Sequence, residues 1–409
     1  MEVVALDWWH TRTDEELAGD AAALFQESFG GEPEGVWAAP GRVNLIGDHV
    51  DYAGGISVPF ALSQNTAAAM AKRDDAVLRL VSRMPGADEV ATLSIGLDEV
   101  GPLNPANWAG YAVGSVWAMA QAGLIPADSG LDIALVSDVP LGSGLSSSAA
   151  LECAVALGAY ELLTGETATD EVRAKLVSAC IRAENEVVGA STGGLDQRSS
   201  LYGQRGKALA LDFAADSVDL VPCDFAGAGL VLLIANTNAP HNLSDGQYGS
   251  RRGLVDEVQE FLGRQGTSIR EADPAQVPSL MGRVDDAVLA RRVRHVHSEI
   301  QRTAAAVETL KQADFPAFGE AMVASHESLR DDFEVVTDEL ESAFAAATVE
   351  GSVGARMTGG GFGGSVIALV RKDEVESVAQ AIAEAASRQG FPAPSFLTAL
   401  PSEGARRLR

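Results

Sequence analysis

A strand-to-helix turn made largely of glycine and serine limits what this chain can fold into. Leu131–Ser137 alternates as a strand does, and Ser147–Leu163 spaces its apolar residues three or four apart as a helix does. Between them lies Asp138-Val-Pro-Leu-Gly-Ser-Gly-Leu-Ser-Ser-Ser-Ala-Ala150. Gly142 and Gly144 allow a close approach of backbone to a ligand. The helix start beyond them offers unpaired N–H groups and a positive dipole end, which together make a cradle for phosphate. Ser146, Ser147 and Ser148 can cap that helix, or bind phosphate oxygens and place one hydroxyl on Mg²⁺. The turn is not a Walker A loop, since it has no Gly-Lys-Ser/Thr, and it does not match the Gly-x-Ser-x-Gly nucleophile elbow.

The rest of the chain mixes the two periodicities. Strands are predicted at Thr66–Lys72, Val77–Ser82, Lys207–Leu211, Leu230–Asn236, Ser365–Arg371 and Pro394–Ala399. Helices are predicted at Asn107–Ala122, Asp170–Val188, Gly249–Leu262, Asp285–Lys311, Phe315–Leu329 and Glu374–Arg388. There is no strict βαβ alternation, which favours an α+β class. A length of 409 residues fits two domains, read here as 1–205 and 206–409 with a soft boundary near Tyr202–Lys207. Gly266–Pro278 is the most loop-like insertion.

Charge excludes some partners. With 57 acidic and 30 basic residues the formal charge is −27, a field that repels nucleic acid and anionic lipid. It also repels ATP at long range, so a nucleotide site needs local compensation from backbone amides, Mg²⁺ or an arginine. Cys153, Cys180 and Cys223 are widely spaced and form no CxxC pair, as expected of packing residues in a reducing compartment. Met1–His10 lacks the pattern of a signal peptide. The most apolar run, Leu230–Ala235, is far short of the roughly 20 residues of a membrane span. The expectation is a cytoplasmic protein, no membrane or nucleic-acid partner, and a monomer or weak homo-oligomer.

Three further segments carry chemistry. Gly41-Arg-Val-Asn-Leu-Ile-Gly-Asp-His-Val-Asp-Tyr52 crowds Arg42, Asn44, Asp48, His49 and Asp51 into ten positions, a mixture suited to sugar hydroxyls or to a polar turn. Arg182–Arg198 holds Glu184 late on a helix and Asp196 past the Gly193-Gly194 turn. One of these carboxylates could hold Mg²⁺ and the other accept a proton, kept ionised by Arg198 or Arg42; surface carboxylates are the alternative. Glu186 is given no role. Asn236–Arg252 is a polar loop leading into a helix, with Tyr248 either at a cleft or packed at an interface. Met357-Thr-Gly-Gly-Gly-Phe-Gly-Gly-Ser365 contains Gly-x-Gly-x-x-Gly, but a strand follows where a dinucleotide site needs a helix. A hairpin, or backbone lining a cleft, remains.

In their order and combination, the segments at 40–55, 138–150 and 357–364 resemble the GHMP family of small-molecule kinases. Gly41–Tyr52, Gly193-Gly-Leu-Asp-Gln197 and Asn236-Thr-Asn…Tyr248…Arg252 resemble its galactokinase branch. The resemblance implies the two-domain GHMP fold with an active site in the cleft between domains. It implies ATP-dependent phosphorylation of galactose at C1, the first step of the Leloir pathway, by direct in-line transfer. Asp196 matches the catalytic base and Arg42 the arginine that stabilises charge. Asp48, His49, Asp51, Gly193 and Tyr248 match sugar-binding positions. Gly142, Ser143, Gly144, Leu145, Ser146, Ser147 and Ser148 match the phosphate loop, and Ser82 a nucleotide contact. Ser148 and Glu184 match the Mg²⁺ positions. Galactokinases usually carry Glu where this chain has Asp48, an arm about one methylene shorter, so a hydroxyl contact is expected to lengthen or pass through water.

Overall fold

The computed structural model describes residues 4–83, 89–190, 192–239 and 246–409. Its first sheet has six strands in the order β14-β2-β4-β7-β5-β6: Arg406–Arg407, Gly35–Asn44, Pro59–Arg73, Gly130–Ser137, Val77–Arg83 and Val90–Gly96. The run Ala67–Met70 on β4 shows why helices cover both faces. Ala67 and Ala69 pack under α1 (Asp14–Phe29), while Ala68 and Met70 face α2 (Trp108–Gln121) and α3 (Ser147–Thr164). Small residues on both faces let helices sit close to the strand.

The second sheet has five strands in the order β1-β13-β10-β12-β11: Asp7–Trp8, Ser395–Ala399, Leu230–Asn236, Ser365–Arg371 and Gly354–Thr358. Its central strand β10 is apolar from Leu230 to Ala235 because each face meets a core. Val231, Leu233 and Ala235 join residues of α6 (Gln247–Arg264), α8 (Ala287–Lys311), α10 (Asp338–Val349) and α11 (Val375–Gln389). Leu232 and Ile234 face the opposite way, into a core shared by Val43, Leu45 and Phe60 of the first half and Phe318 and Met322 of α9 (Phe315–Ser328). That shared core is the joint on which the site sits.

The ends of the chain cross over. β1 pairs with β13 of the second sheet, and β14 pairs with β2 of the first. A third sheet joins β3 (Ile56–Ser57) to β8 (Lys207–Asp212) and β9 (Ser217–Pro222). Among the described residues no helix is long and apolar enough to cross a membrane. All three cysteines are buried and unpaired.

Several elements lie outside the predicted set. α1 opens with a capping box in which Thr13 and Glu16 each accept from the other's backbone N–H, a signal present in the sequence. α10 is capped by Thr337, and β11 is a five-residue buried strand too short to show a period. The helix predicted over Asp170–Val188 divides into α4 (Asp170–Arg182) and a wider π turn, Ala183–Val188. Gly266–Pro278 is mainly turns, ending in α7 (Val277–Leu280).

Candidate active site

The phosphate-type turn is built as its residues dictate. Gly142, Gly144 and Ser146 all take positive φ (67°, 76° and 59°), which glycine adopts freely and serine only under constraint. Ser146 occupies the N-cap position of α3, yet its side chain does not cap the helix. Its hydroxyl instead donates to Asp196 Oδ2 at 2.5 Å. Ser143 turns inward, donating to the Pro140 carbonyl at 2.9 Å, and the Leu145 side chain is buried. Residues 143 and 145 therefore present backbone, not side chain, to whatever the turn holds.

Asp196 is the second residue of a short helix, α5 (Leu195–Tyr202), that starts directly after the Gly193-Gly194 turn. That position places its carboxylate at a positive dipole end. Oδ1 accepts from Arg42 Nε at 2.8 Å and pairs with Nη2 at 2.7 Å. Arg42 Nη1 donates to the Gly144 carbonyl at 2.5 Å. One guanidinium thus ties the candidate base to the phosphate turn. Of the two arginines considered as partners for the base, only Arg42 makes the contact; Arg198 pairs with Asp216 and lies over Phe213.

Beside this pair is a cleft of about 100 Å³ lined by Arg42, Asp48, His49, Asp51, Gly193, Asp196, Tyr248 and Gly359 among others. It gathers every residue matched to sugar binding. Gly193 is glycine for a reason visible here: a Cβ would lie 2.4 Å from Asp51 Oδ2. Burial pushes the Asp51 carboxyl up to about 6, opposed by a hydrogen bond from the Tyr52 backbone and reinforced by the nearby Asp196 charge. Burial also lowers His49 to about 4, so its ring is neutral at pH 7. Its Nε2 lies 3.2 Å from the Gly360 carbonyl, which can only accept, so Nε2 carries the proton. Nδ1 then accepts from the Tyr52 hydroxyl at 2.9 Å. With both nitrogens engaged inside the protein, His49 offers the cleft its ring and not a free polar atom. The Tyr248 ring lies 5.5 Å from that of His49, and burial raises its hydroxyl well above the usual range.

The second glycine cluster connects β11 to β12 as an antiparallel hairpin and also lines the cleft. Gly359 N–H donates to Asp48 Oδ1 at 3.1 Å, and Ser365 Oγ donates to the Ser143 carbonyl at 2.7 Å. A Cβ on Gly359 or Gly364 would stand 3.5 Å from the backbone of the phosphate turn. Because a strand follows, the dinucleotide reading has no structural support.

A separate cavity of about 240 Å³ is lined by Ser82, Trp108, Tyr111, Leu141, Ser147 and Ser148 among others. It brings the predicted nucleotide contact on β5 to the start of α3. Glu184 sits on the π turn, a device frequent at functional sites. Its Oε2 accepts from Thr192 Oγ1 at 2.9 Å and Gln197 Nε2 at 2.6 Å, and no described residue donates to Oε1. Burial, then the Asp196 charge, raises this carboxyl to about 7. The charges of Glu184 and Glu152 help, after burial, to push Tyr111 of this cavity up to about 12. Glu186 pairs with Arg182 at the surface. Residues 240–245 of the loop before Tyr248 lie outside the described residues.

Comparison with known proteins decides the family. The galactokinase galactose-binding signature matches residues 23–72, and the GHMP kinase N-terminal and C-terminal domains match 110–204 and 306–388. The chain is 42% identical to a galactokinase of Streptomyces coelicolor over 395 residues, covering 96% of this chain and 99% of that one. The chain belongs to the galactokinase family. The human galactokinase is 40% identical over 360 residues, covering 87% of this chain and 88% of its own. A crystal structure of Lactococcus lactis galactokinase complexed with galactose superposes with a TM-score of 0.86 at 30% identity, covering 95% and 99% of the two chains. A mevalonate kinase at 16% identity and TM-score 0.61 shares the GHMP fold. This galactokinase-family chain is thus a kinase with GHMP N- and C-terminal domains.

Sequence reasoning missed four participants. Gln197 bridges Glu184 and the buried Glu152, donating to the latter at 2.9 Å. Thr192 supports Glu184, and the Gly144 carbonyl holds Arg42. Arg356 was also unread, although a lone charge in the strand Gly354–Thr358, buried at every residue, is a visible anomaly.

Proposed function

We propose that the protein transfers the γ-phosphate of ATP to the C1 hydroxyl of galactose, giving galactose 1-phosphate and ADP, as the cytoplasmic first step of the Leloir pathway. The observation that carries this is the position of the Arg42–Asp196 pair. It lies where the sugar cleft meets the phosphate turn, bonded to Gly144 and Ser146 on one side and lining the cleft on the other. A hydroxyl bound in the cleft would face a carboxylate and a phosphate together, the arrangement in-line transfer requires.

In this reading Asp48, Asp51 and Tyr248 accept from or donate to sugar hydroxyls, and Gly193 gives Asp51 its room. His49 shapes the wall. Asp196 accepts the C1 hydroxyl proton as the new O–P bond forms, and Ser146 turns from Asp196 to the phosphate. Arg42 offsets negative charge developing at the transferred group. The nucleotide occupies the cavity at Ser82, Ser147 and Ser148, with the amides of 142–148 on its phosphates.

Magnesium fits these residues. Hard oxygen donors with few protein ligands are what Mg²⁺ takes when phosphates complete its shell, and Glu184 Oε1 lacks a described hydrogen-bond donor. Glu184 and Ser148 would hold it. When bound, the ion supplies charge neutralisation on the phosphate oxygens.

Coupled ADP release across a panel of monosaccharides, with and without Mg²⁺, tests the proposal. Galactose is expected to be preferred, with turnover lost when Mg²⁺ is removed. Preference for an N-acetylated or uronic derivative would overturn the substrate.

Acid should act on the sugar step. Asp51 accepts from hydroxyls through both oxygens, and with a full charge, only when ionised, and its carboxyl is raised to about 6. As pH falls through 6 the protonated form grows, so KM for galactose is expected to rise with an inflection near 6. Asp51→Asn should raise KM at every pH and remove that inflection, as initial rates between pH 5 and 8 would show.

A further inference from the structure

Arg356 is a fully buried cation on β11, and its near charges lead to the sugar cleft. Nη1 stands 2.7 Å from Asp48 Oδ2, and Nη2 stands 3.9 Å from Glu299 Oε1. None of its three nitrogens hydrogen-bonds a described residue, so charge alone ties the guanidinium to these two carboxylates. Glu299, on α8, accepts from the backbone N–H of Gly47 at 3.0 Å, the residue before Asp48. It is itself fixed by Ser325 Oγ at 2.5 Å and by Arg302. Two residues after Arg356, Thr358 Oγ1 donates to the Asn44 carbonyl at 2.8 Å, and Gly359 N–H then reaches Asp48 Oδ1. The end of β11 therefore grips the loop 44–48 at its backbone and at both oxygens of its carboxylate.

An apolar residue of similar size would fill this place without the desolvation cost of a charge. The charge stands instead beside a carboxylate that lines the cleft. Asp48 Oδ1 accepts from the Gly359 N–H, Oδ2 is held by the charge of Arg356, and the carboxylate still lines the cleft. Its remaining lone pairs are thus aimed, not free to rotate.

We propose that Arg356 is a positioning residue for sugar affinity, acting through Asp48 by fixing its rotamer and its charge. The inference rests on the galactose reading above. Removing the guanidinium frees the carboxylate to swing and leaves it buried without its counter-charge, and the sugar loses a fixed acceptor.

A double-mutant cycle tests it. KM for galactose, KM for ATP, kcat and Tm would be measured for Arg356→Met, Asp48→Asn and the pair. Each single variant is expected to raise KM for galactose by roughly tenfold or more. KM for ATP should remain within about twofold, as expected when only sugar contacts change. The pair should be no worse than Asp48→Asn alone, because the two residues act as one unit. Arg356→Lys, which keeps charge but not the planar fork, covers the case in which the Met variant does not fold. It should raise KM for galactose by about threefold, and not at all in the Asp48→Asn background. Multiplying effects in the pair would overturn the inference, as would a lowered Tm with KM for galactose unchanged. Wild-type protein without turnover on galactose would sink the functional reading and this inference together; additive variants of an active enzyme would sink this inference alone.

Discussion

Replacing Asp196 by Asn is expected to lower kcat on the order of 10²–10⁴-fold while leaving KM for ATP nearly unchanged. Asn preserves the shape of the side chain and its bond from Ser146, but it cannot take a proton. In the proposed reading the residue is more than a base. Arg42 holds Oδ1 and Ser146 holds Oδ2, so the carboxylate is oriented before substrate arrives. A sugar hydroxyl is a far weaker acid than a carboxyl group and gains acidity only as its oxygen bonds to phosphorus. Its proton transfer should accompany phosphoryl transfer and not precede it, and much of the carboxylate's effect should come from aligning the hydroxyl. Steady-state rates and nucleotide titration of the variant check both halves. Turnover within about threefold of wild type would remove Asp196 from the chemistry.

Arg42→Lys should cost about 10²-fold in kcat, although the positive charge remains. Lysine is a point donor on a flexible stem, whereas the guanidinium reaches Asp196 with Nε and Nη2 and the Gly144 carbonyl with Nη1. What the substitution loses is the tie between base and phosphate turn. If charge alone mattered, Lys would retain most of the activity. Combining it with Asp196→Asn should add little to the worse single variant, since the two groups act as a unit.

The segments that carry the site were legible because each sets special residues against an ordinary background. The Gly-Ser turn, the polar run Arg42–Asp51 and the Gly193-Gly194 turn before Asp196 declared themselves by type and spacing. What stayed hidden depends on how the chain crosses in space. The choice of Arg42 over Arg198 as partner for Asp196 spans 154 residues of chain and follows only from β2 running beneath the phosphate turn. The same holds for Arg356 and Asp48, brought together by the end of β11. The π turn that turns Glu184 inward has the helical spacing of the α-helix it continues, so periodicity alone reads both as one element. α1, by contrast, carried its own capping signal in Thr13 and Glu16. The inner strands β4, β5, β10 and β12 were readable, while the exchange of β1 and β14 between the two sheets was not, since two-residue strands have no pattern.

Phosphoryl transfer to the anomeric hydroxyl is the centre of the account. ³¹P and ¹³C NMR of the product formed from galactose, Mg²⁺ and ATP tests it directly. Coupling of the new phosphorus to C1, with ADP formed in equal amount, is the expected result. Phosphorus on another carbon, or ADP without a sugar phosphate, would contradict it.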